Sequence, residues 1–208
     1  MKRRAIRIPE LGGARVIILH RPHPTVQALS RQLTAIGLSV IQAWPELGPE
    51  ALAADYIFFD ADMGHDGMFP WDAGQPPIPM IALIGSEAPG RIEWSLKAGA
   101  HAQLLKPVGD NGAYSALLIA RDTFDAQRAL SVEIADLRRR LEDRQTVVRA
   151  VTLLAARGKT EVEAYAQLRQ LAMAWRISFE DAAARIVASH GAGRDGTGKD
   201  GDDRHGRG

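Results

Sequence analysis

Two charged side chains follow apolar runs that have the composition of buried strands. Asp60 closes the run YIFFD, and Lys106 follows HAQLL. If these runs are parallel strands of one sheet, their carboxyl ends meet at the same edge, where ligand and regulatory residues of such sheets are found. We therefore expect the Asp60 carboxylate and the Lys106 ammonium to lie close together.

The elements that position this edge alternate between strands and helices. Short runs rich in β-branched residues predict strands at 15–19, 39–44, 56–60, 80–85 and 101–107. Apolar residues at helical spacing predict helices over 25–38 and 89–99, with a further helix from about residue 111 and no regular element in the loop that ends at 79. This alternation predicts a doubly wound parallel sheet.

The pattern changes after residue 113, where proline disappears from the chain. An apolar stripe with alternating spacings of four and three then indicates a two-stranded coiled coil, with Arg144 at one of the stripe positions. The stripe consists of Leu130, Ile134, Leu137, Leu141, Val148 and Val151. The alternative is a helix that packs on its own sheet, but the flanking DLRRRLEDR is too polar to bury on more than one side. We therefore favour a homodimer.

Two shorter helices are predicted beyond Gly158, which ends the long one. Thr160 and Glu163 have the spacing of a capping box, and Ser178 and Asp181 repeat it. In the first of these helices we expect Leu168, Ala172 and Met173 to form one buried face. The glycine-rich, charged segment 191–208 is predicted to be disordered.

Composition excludes several classes of protein. The 208 residues have a formal net charge of +1 and no cysteine, which excludes disulfides, thiolate zinc sites and cysteine nucleophiles. The six histidines lack the spacing of metal ligands on a helix, and there is neither a glycine-rich phosphate loop nor a credible Ser–His pair. We predict a non-enzyme without cofactor or metal. Without a signal segment or membrane span, it is expected to be cytoplasmic.

Residues 15–120 resemble a receiver domain, because Asp60 ends the third strand and Lys106-Pro107 ends the fifth. In that family the aspartate accepts a phosphoryl group and the lysine contacts it. The resemblance also implies two acidic residues after the first strand, which hold Mg²⁺, and a Ser or Thr at the end of the fourth.

Those accompanying residues differ in this chain. His20 and Arg21 stand where the acidic pair belongs, and Ile84 stands at the hydroxyl position, with Ser86 two residues beyond. Mg²⁺ prefers carboxylate oxygens in near-octahedral geometry, so this set is a poor magnesium site. We expect a pseudo-receiver with a degenerate phosphoacceptor site, in which Asp60 forms an ion pair with Arg21 or Lys106.

Residues 147–187 resemble an ANTAR domain, the three-helix RNA-binding module of transcription antiterminators. The resemblance rests on AYAQLRQLAM, with LLAARGKTEVEA before it and AARIV after it. It implies binding of paired leader-RNA hairpins, which blocks a terminator and so acts on RNA polymerase indirectly. The candidate RNA-binding residues are Arg149, Arg157, Lys159, Tyr165, Arg169 and Arg176. For Tyr165 a packing role, and for Arg169 a role in a salt bridge, remain open.

One position departs from the ANTAR pattern, which begins with an Ala-Lys pair where this chain has Ala150-Val151. Arg149 cannot simply replace the lysine, because two residues along a helix correspond to a rotation of about 200°. We expect weaker RNA binding or a different hairpin.

The predicted fold class is therefore α/β followed by all-α. It combines a flavodoxin-like receiver sheet, a long coiled-coil helix and a small three-helix bundle. The predicted parts are an N-terminal extension (1–13), a pseudo-receiver (14–120), a dimerisation helix (121–148), an ANTAR domain (149–190) and a tail (191–208).

The order of these parts resembles that of antitermination regulators of amidase operons, which implies control by a ligand-sensing protein of the periplasmic-binding-protein fold. The alternatives are a phosphorylation-dependent response regulator with RNA or DNA output, a DNA-binding transcription factor, and an interaction scaffold that binds no RNA.

Overall fold

The computed structural model describes residues 10–191. The predicted N-terminal extension therefore lies mostly, and the predicted disordered tail almost entirely, outside the described residues. The chain divides into two compact units, with the boundary between Leu130 and Ser131. Each unit has its own hydrophobic core.

The first unit is built on a parallel sheet of five strands in the order β2-β1-β3-β4-β5. The strands are β1 (Arg15–Leu19), β2 (Ser39–Ala43), β3 (Tyr56–Asp60), β4 (Met80–Ile84) and β5 (Ala102–Leu105). The order reverses direction after β1, as in other doubly wound sheets, and all four pairings are parallel. The predicted α/β sheet is confirmed.

Helices connect and follow the strands. They are α1 (Pro24–Ile36), α2 (Pro89–Lys97), α3 (Ala113–Ala155), α4 (Glu161–Trp175) and α5 (Phe179–Gly191). The β2–β3 connection contains only a short 3₁₀ helix, Pro49–Ala53. Between β3 and β4 the chain forms turns and bends without a helix, as the sequence indicates. The predicted all-α part is confirmed as well.

Both faces of the sheet are covered, so β3 and β4 are buried throughout and read as continuous apolar runs. One face packs against α1 and the first turns of α3. The other packs against the 3₁₀ helix, the β3–β4 loop and the end of α2. Side chains alternate between the faces, so neighbours such as Phe58 and Phe59 belong to different cores.

The second unit contains a bundle formed by the last turns of α3 with α4 and α5. Its core is rich in alanine, which allows the helices to approach closely, and comprises Ala150, Val151, Leu154, Ala164, Leu168, Ala172, Ala182, Ala183 and Ile186. Thr160 caps α4 in a complete capping box with Glu163. Ser178 Oγ accepts the Asp181 N–H at 3.0 Å, so the second predicted cap is also present.

One predicted burial assignment is wrong, and one residue of the predicted coiled-coil stripe lies in the bundle core instead. Met173 is 71% exposed, because the inward positions of α4 follow one another at intervals of four through Ala164, Leu168 and Ala172. Met173 lies one residue beyond this row, about 100° further around the helix. Val151 is 7% exposed and belongs to the bundle core, whereas the other residues of the predicted coiled-coil stripe are exposed.

Arg176 follows α4 with φ 55°, in the left-handed region that favours glycine. Its backbone N–H donates to carbonyl oxygens of the last turn, including that of Met173 at 3.2 Å. The chain can therefore turn from α4 into α5 within three residues.

Candidate functional sites

Asp60 lies at the carboxyl edge of the sheet and is 1% exposed. Its Oδ1 lies 2.7 Å from Nζ of Lys106 and also accepts the N–H of Asp62 at 3.1 Å. Its Oδ2 lies 3.1 Å from Nε2 of His20. Both oxygens of Asp60, which stands at the phosphoacceptor position of receiver domains, therefore face groups of the same chain.

His20 follows β1 and is 4% exposed. Its Nδ1 lies 2.7 Å from the carbonyl oxygen of Arg21, which can only accept, so Nδ1 carries a proton. The ring thus turns Nε2 toward Asp60, although this 3.1 Å approach lacks the alignment of a hydrogen bond.

Of the two cations expected at Asp60, Lys106 is present and Arg21 is not. The Arg21 side chain is exposed and forms no ion pair with Asp60. Arg21 directly follows His20, whose ring fills the space beside the carboxylate. The sequence reasoning assigned His20 only as a replacement for an acid and missed it as a contact of Asp60.

Asp62 is a further member of the cluster. Its carboxylate accepts from Lys106 Nζ at 2.6 Å, from the Gly85 N–H at 2.8 Å and from the Ser86 N–H at 3.0 Å. Partial burial works to raise the pKa of this carboxyl group, but these hydrogen bonds outweigh it and hold the pKa below its usual value. An acid two residues beyond a strand-end aspartate can thus reach the end of the next strand in a parallel sheet.

Ile84 stands at the expected hydroxyl position and is 1% exposed within the second core of the sheet. Ser86 offers its backbone N–H to Asp62, while its hydroxyl oxygen lies 3.4 Å from the Ala88 N–H, which donates to it. Neither residue therefore presents a hydroxyl group to Asp60.

The residues at this edge do not fit a magnesium ion. A magnesium site needs free carboxylate oxygens, but those of Asp60 face Lys106 and His20. Within residues 10–191, no group of three or more His, Asp or Glu side chains is arranged to hold a metal ion.

The second candidate site lies on the outer face of α4. An open groove of about 770 Å³ is lined by Glu161, Val162, Tyr165, Ala166, Arg169, Gln170 and Met173. Tyr165 is 44% exposed and Val162 is 79% exposed. Arg169 is exposed and takes part in none of the ion pairs found within the described part of the chain.

Tyr165 also borders a second cleft of about 470 Å³, between α4 and the ends of α3 and α5. Its ring centroid lies 4.9 Å from that of Phe179, at an interplanar angle of 40°. Arg140 and Arg144 line the same cleft. Tyr165 is therefore both a packing residue and an accessible aromatic surface.

The other candidate RNA-binding residues do not line the groove. Arg149, Arg157, Lys159 and Arg176 are exposed, and Nη2 of Arg157 lies 2.8 Å from Nε2 of His190. A further cation of the bundle, the Arg185 guanidinium, lies over the Trp175 ring, 4.5 Å from its centroid. The geometry thus brings Tyr165 and Arg169 together and leaves the remaining cations elsewhere on the surface.

Val151, which replaces the lysine of the ANTAR pattern, is buried beside Ala150 in the bundle core. A residue at this position points toward α4 and α5. In this chain it contributes to packing and not to the exposed surface.

Two family models match the chain. The model described as AmiR, N-terminal, matches residues 14–121, and the ANTAR domain model matches residues 135–187. The ANTAR match thus begins within the stretch 121–148 predicted as a dimerisation helix. Together the two matches cover the receiver-like sheet, part of the long helix and the bundle.

Two regulatory proteins are similar to this chain. The aliphatic amidase regulator of Pseudomonas aeruginosa is 27% identical over 162 residues, which span 76% of this chain and 83% of that protein. The transcriptional regulatory protein PdtaR of Mycobacterium tuberculosis is 31% identical over 118 residues, which span 56% of this chain and 58% of that protein.

Solved structures similar to this chain include ShkA Rec1 in complex with c-di-GMP, with 26% identity and a TM-score of 0.39 over 53% of this chain and 92% of that one. A response regulator from Thermotoga maritima has 22% identity and a TM-score of 0.39 over 54% of this chain and 98% of that one.

None of the helices between residues 10 and 191 is long and apolar enough to cross a membrane. The AmiR N-terminal model matches more than half of the chain, and an ANTAR domain follows it. The chain therefore belongs to the AmiR-type family of antitermination regulators, with an N-terminal pseudo-receiver and a C-terminal ANTAR domain.

Proposed function

We propose that this protein binds hairpins of a leader RNA through its ANTAR bundle and so prevents formation of a transcription terminator. The observation that carries the proposal is the position of Tyr165 and Arg169 in one exposed groove on α4. The ANTAR match and the two regulatory relatives support the same class of function.

The chemistry of the groove suits unpaired bases. Sequence-specific RNA readers mostly address loops, whose splayed bases stack on aromatic rings or guanidinium planes. The accessible face of Tyr165 offers a ring, and Arg169 offers a guanidinium for a phosphate or a base edge. Val162 and Met173 supply apolar surface on either side of them, which favours a base over water.

We also propose a homodimer formed through α3. Leu130, Leu137, Leu141 and Val148 are each more than half exposed, and Ile134 is 40% exposed, so residues 10–191 of one chain leave an apolar stripe on the helix uncovered. The spacing of four and three suits a two-stranded coiled coil. A dimer presents two RNA-binding bundles, and linked sites gain from effective concentration when a leader carries two hairpins.

Control of the protein is proposed to come from a partner and not from phosphorylation. Both oxygens of Asp60 contact groups of the same chain, and the site does not fit the magnesium ion on which phosphoryl transfer depends. Incubation with acetyl phosphate and Mg²⁺ is expected to leave the intact mass unchanged. A stoichiometric phosphate adduct at Asp60 contradicts this part of the proposal.

The proposed partner is a ligand-sensing protein of the periplasmic-binding-protein fold, as in the amidase-operon regulators that the domain order resembles. It would hold the regulator silent until its ligand arrives. Co-purification with a sensor encoded beside this protein, weakened by the sensor's ligand, is the expected result. If the two proteins do not associate with or without ligand, control by this kind of partner is excluded.

The test of RNA binding compares the leader RNA of the neighbouring operon with a scrambled RNA and with DNA of the same length, at several salt concentrations. Arg169→Gln is expected to weaken binding to the leader RNA. If Arg169 contacts a phosphate, the salt slope also falls by about one. Arg138→Gln, which removes an exposed cation of α3 outside the groove, is the matched control.

Three outcomes contradict the proposal in different ways. Preferential binding to DNA indicates a DNA-binding factor. Equal binding to leader and scrambled RNA indicates a nonspecific cationic surface. No binding of any nucleic acid by the folded protein indicates an interaction scaffold.

A further inference from the structure

The ends of β4 and β5 direct three donors at one point. The N–H groups of Gly85 and Ser86 follow β4, and the Lys106 ammonium follows β5. Oδ2 of Asp62 accepts from Lys106 and Gly85, at 2.6 and 2.8 Å, and Oδ1 accepts from Ser86 at 3.0 Å. Two adjacent backbone N–H groups with a nearby ammonium form an arrangement that recognises oxyanions in general.

Gly85 leaves room for the carboxylate directly beside the end of β4. A Cβ atom at this position would lie 2.6 Å from Oδ2 of Asp62 and 3.1 Å from Cε of Lys106. Any other residue would therefore push the carboxylate or the lysine away. The absence of a Cβ atom therefore lets the backbone at the end of β4 approach the carboxylate closely.

We propose that Gly85, Ser86 and Lys106 form an oxyanion-binding site whose native occupant is the Asp62 carboxylate. The tethered carboxylate is held at high effective concentration, so it excludes dissolved phosphate and carboxylate ions from the native chain. Its side chain is 24% exposed, so the site borders solvent, and a small anion can enter once the carboxylate is removed.

The occupied site also joins three loops. The Asp62 backbone N–H donates to Oδ1 of Asp60 after β3, while its side chain reaches the residues after β4 and β5. Asp62 therefore holds the ends of β3, β4 and β5 together, as a permanently bound anion would. This inference concerns the sheet edge and does not depend on RNA binding by the bundle.

The experiment uses the full chain with Asp62→Ala, which removes the carboxylate and keeps the backbone N–H. Inorganic phosphate is titrated at constant ionic strength against chloride, while the backbone amide resonances of Gly85 and Ser86 are followed by NMR. A parallel titration with acetate distinguishes a site for carboxylates from one for phosphate. We expect saturable shifts of both amides in the variant and at least tenfold weaker binding in the wild type.

Adding Lys106→Met to Asp62→Ala is expected to abolish these shifts. The proposal is overturned if the folded Asp62→Ala protein shows no saturable shift with either anion, or if the wild type binds phosphate equally well. A titration of the wild type alone also tests it. When the wild type is acidified, the amide resonances of Gly85 and Ser86 should shift with the same pH midpoint as the resonance of the Asp62 carboxyl carbon. Different midpoints would contradict the proposal that the carboxylate occupies the site.

Discussion

The Lys106 ammonium lies 2.7 Å from the buried Oδ1 of Asp60. The same nitrogen lies 2.6 Å from Oδ2 of Asp62, so one cation is shared by two carboxylates. The ammonium is therefore engaged by both acids at this edge of the sheet. This one relationship connects the proposed absence of phosphorylation with the stability of the sheet edge.

Replacing Lys106 by methionine is expected to destabilise the protein strongly. The substitution leaves the Asp60 carboxylate, which is 2% exposed, without its cation. Removing one partner of a buried ion pair costs about 3 kcal/mol or more, and the partial exposure of Lys106 and Asp62 places this case at the lower end. Urea unfolding should show a lower midpoint with an unchanged m value.

The matched control is Lys97→Met, which breaks an i,i+4 pair with Glu93 on the surface of α2. Both side chains are largely exposed, so solvent screens the pair and little change in the free energy of unfolding is expected. If both substitutions lowered the free energy of unfolding equally, the ion pairs at the strand ends would stabilise the protein no more than a surface pair does.

Stability should depend on the ionisation of Asp62. Its pKa is lowered in the folded protein, because hydrogen bonds from Lys106, Ser86 and Gly85 outweigh the desolvation that works to raise it. A lowered folded pKa contributes stability above the unfolded value of about 3.9, and this contribution is lost as the pH falls through the folded pKa. The difference in urea midpoint between the wild type and Asp62→Asn should therefore shrink as the pH is lowered from 7 to 3. A constant difference across this range would exclude a role for the charge.

The apolar stripe of α3 should control association. Leu137→Asp places a charge on the stripe and is expected to convert the proposed dimer to a monomer in sedimentation analysis. Val132→Asp is the matched control, because Val132 is 65% exposed on the same helix but lies about 200° around it from Leu130. A monomeric wild type, or dissociation by both substitutions alike, would argue against a coiled coil through this stripe.

Restoring the lysine of the ANTAR pattern should be harmful in this chain. Val151 is buried in the bundle, so Val151→Lys must bring an ammonium into an apolar core or displace the helix. We expect a loss of about 2 kcal/mol or more in stability and no gain in RNA affinity. Val162→Lys, at a 79% exposed position of α4, is the stability control. A stable Val151→Lys protein with tighter RNA binding would show that position 151 can face the RNA.

Much of the fold could be predicted because its signals are local. β3 and β4 are continuous apolar runs, and the Thr160–Glu163 box marks the start of α4 with two reciprocal hydrogen bonds. The proximity of Asp60 and Lys106 also followed from the sequence, since the carboxyl ends of parallel strands share one edge.

The side chains that complete the site were harder to predict. His20 and not Arg21 contacts Asp60, and the Asp62 side chain reaches the loop after β4. The conformation of the loops decides where these side chains point, and the pattern of apolar residues in the strands does not reveal it. Met173 was predicted to be buried with Ala172, but it lies one position further around α4 and faces the exposed groove. Helix periodicity identifies a face, but its edges depend on how the neighbouring helices pack.

The backbone of Arg176 has a consequence for engineering of the bundle. Its φ of 55° costs an arginine free energy that a glycine would not lose, so Arg176→Gly is expected to make the α4–α5 turn more favourable while it removes an exposed cation. If Arg176 contacts RNA outside the α4 groove, stability and RNA affinity would then move in opposite directions. If the variant were more heat-resistant and yet bound RNA more weakly, unfolding could not explain the weaker binding. This single position would then distinguish the effect of the turn on stability from its effect on RNA recognition.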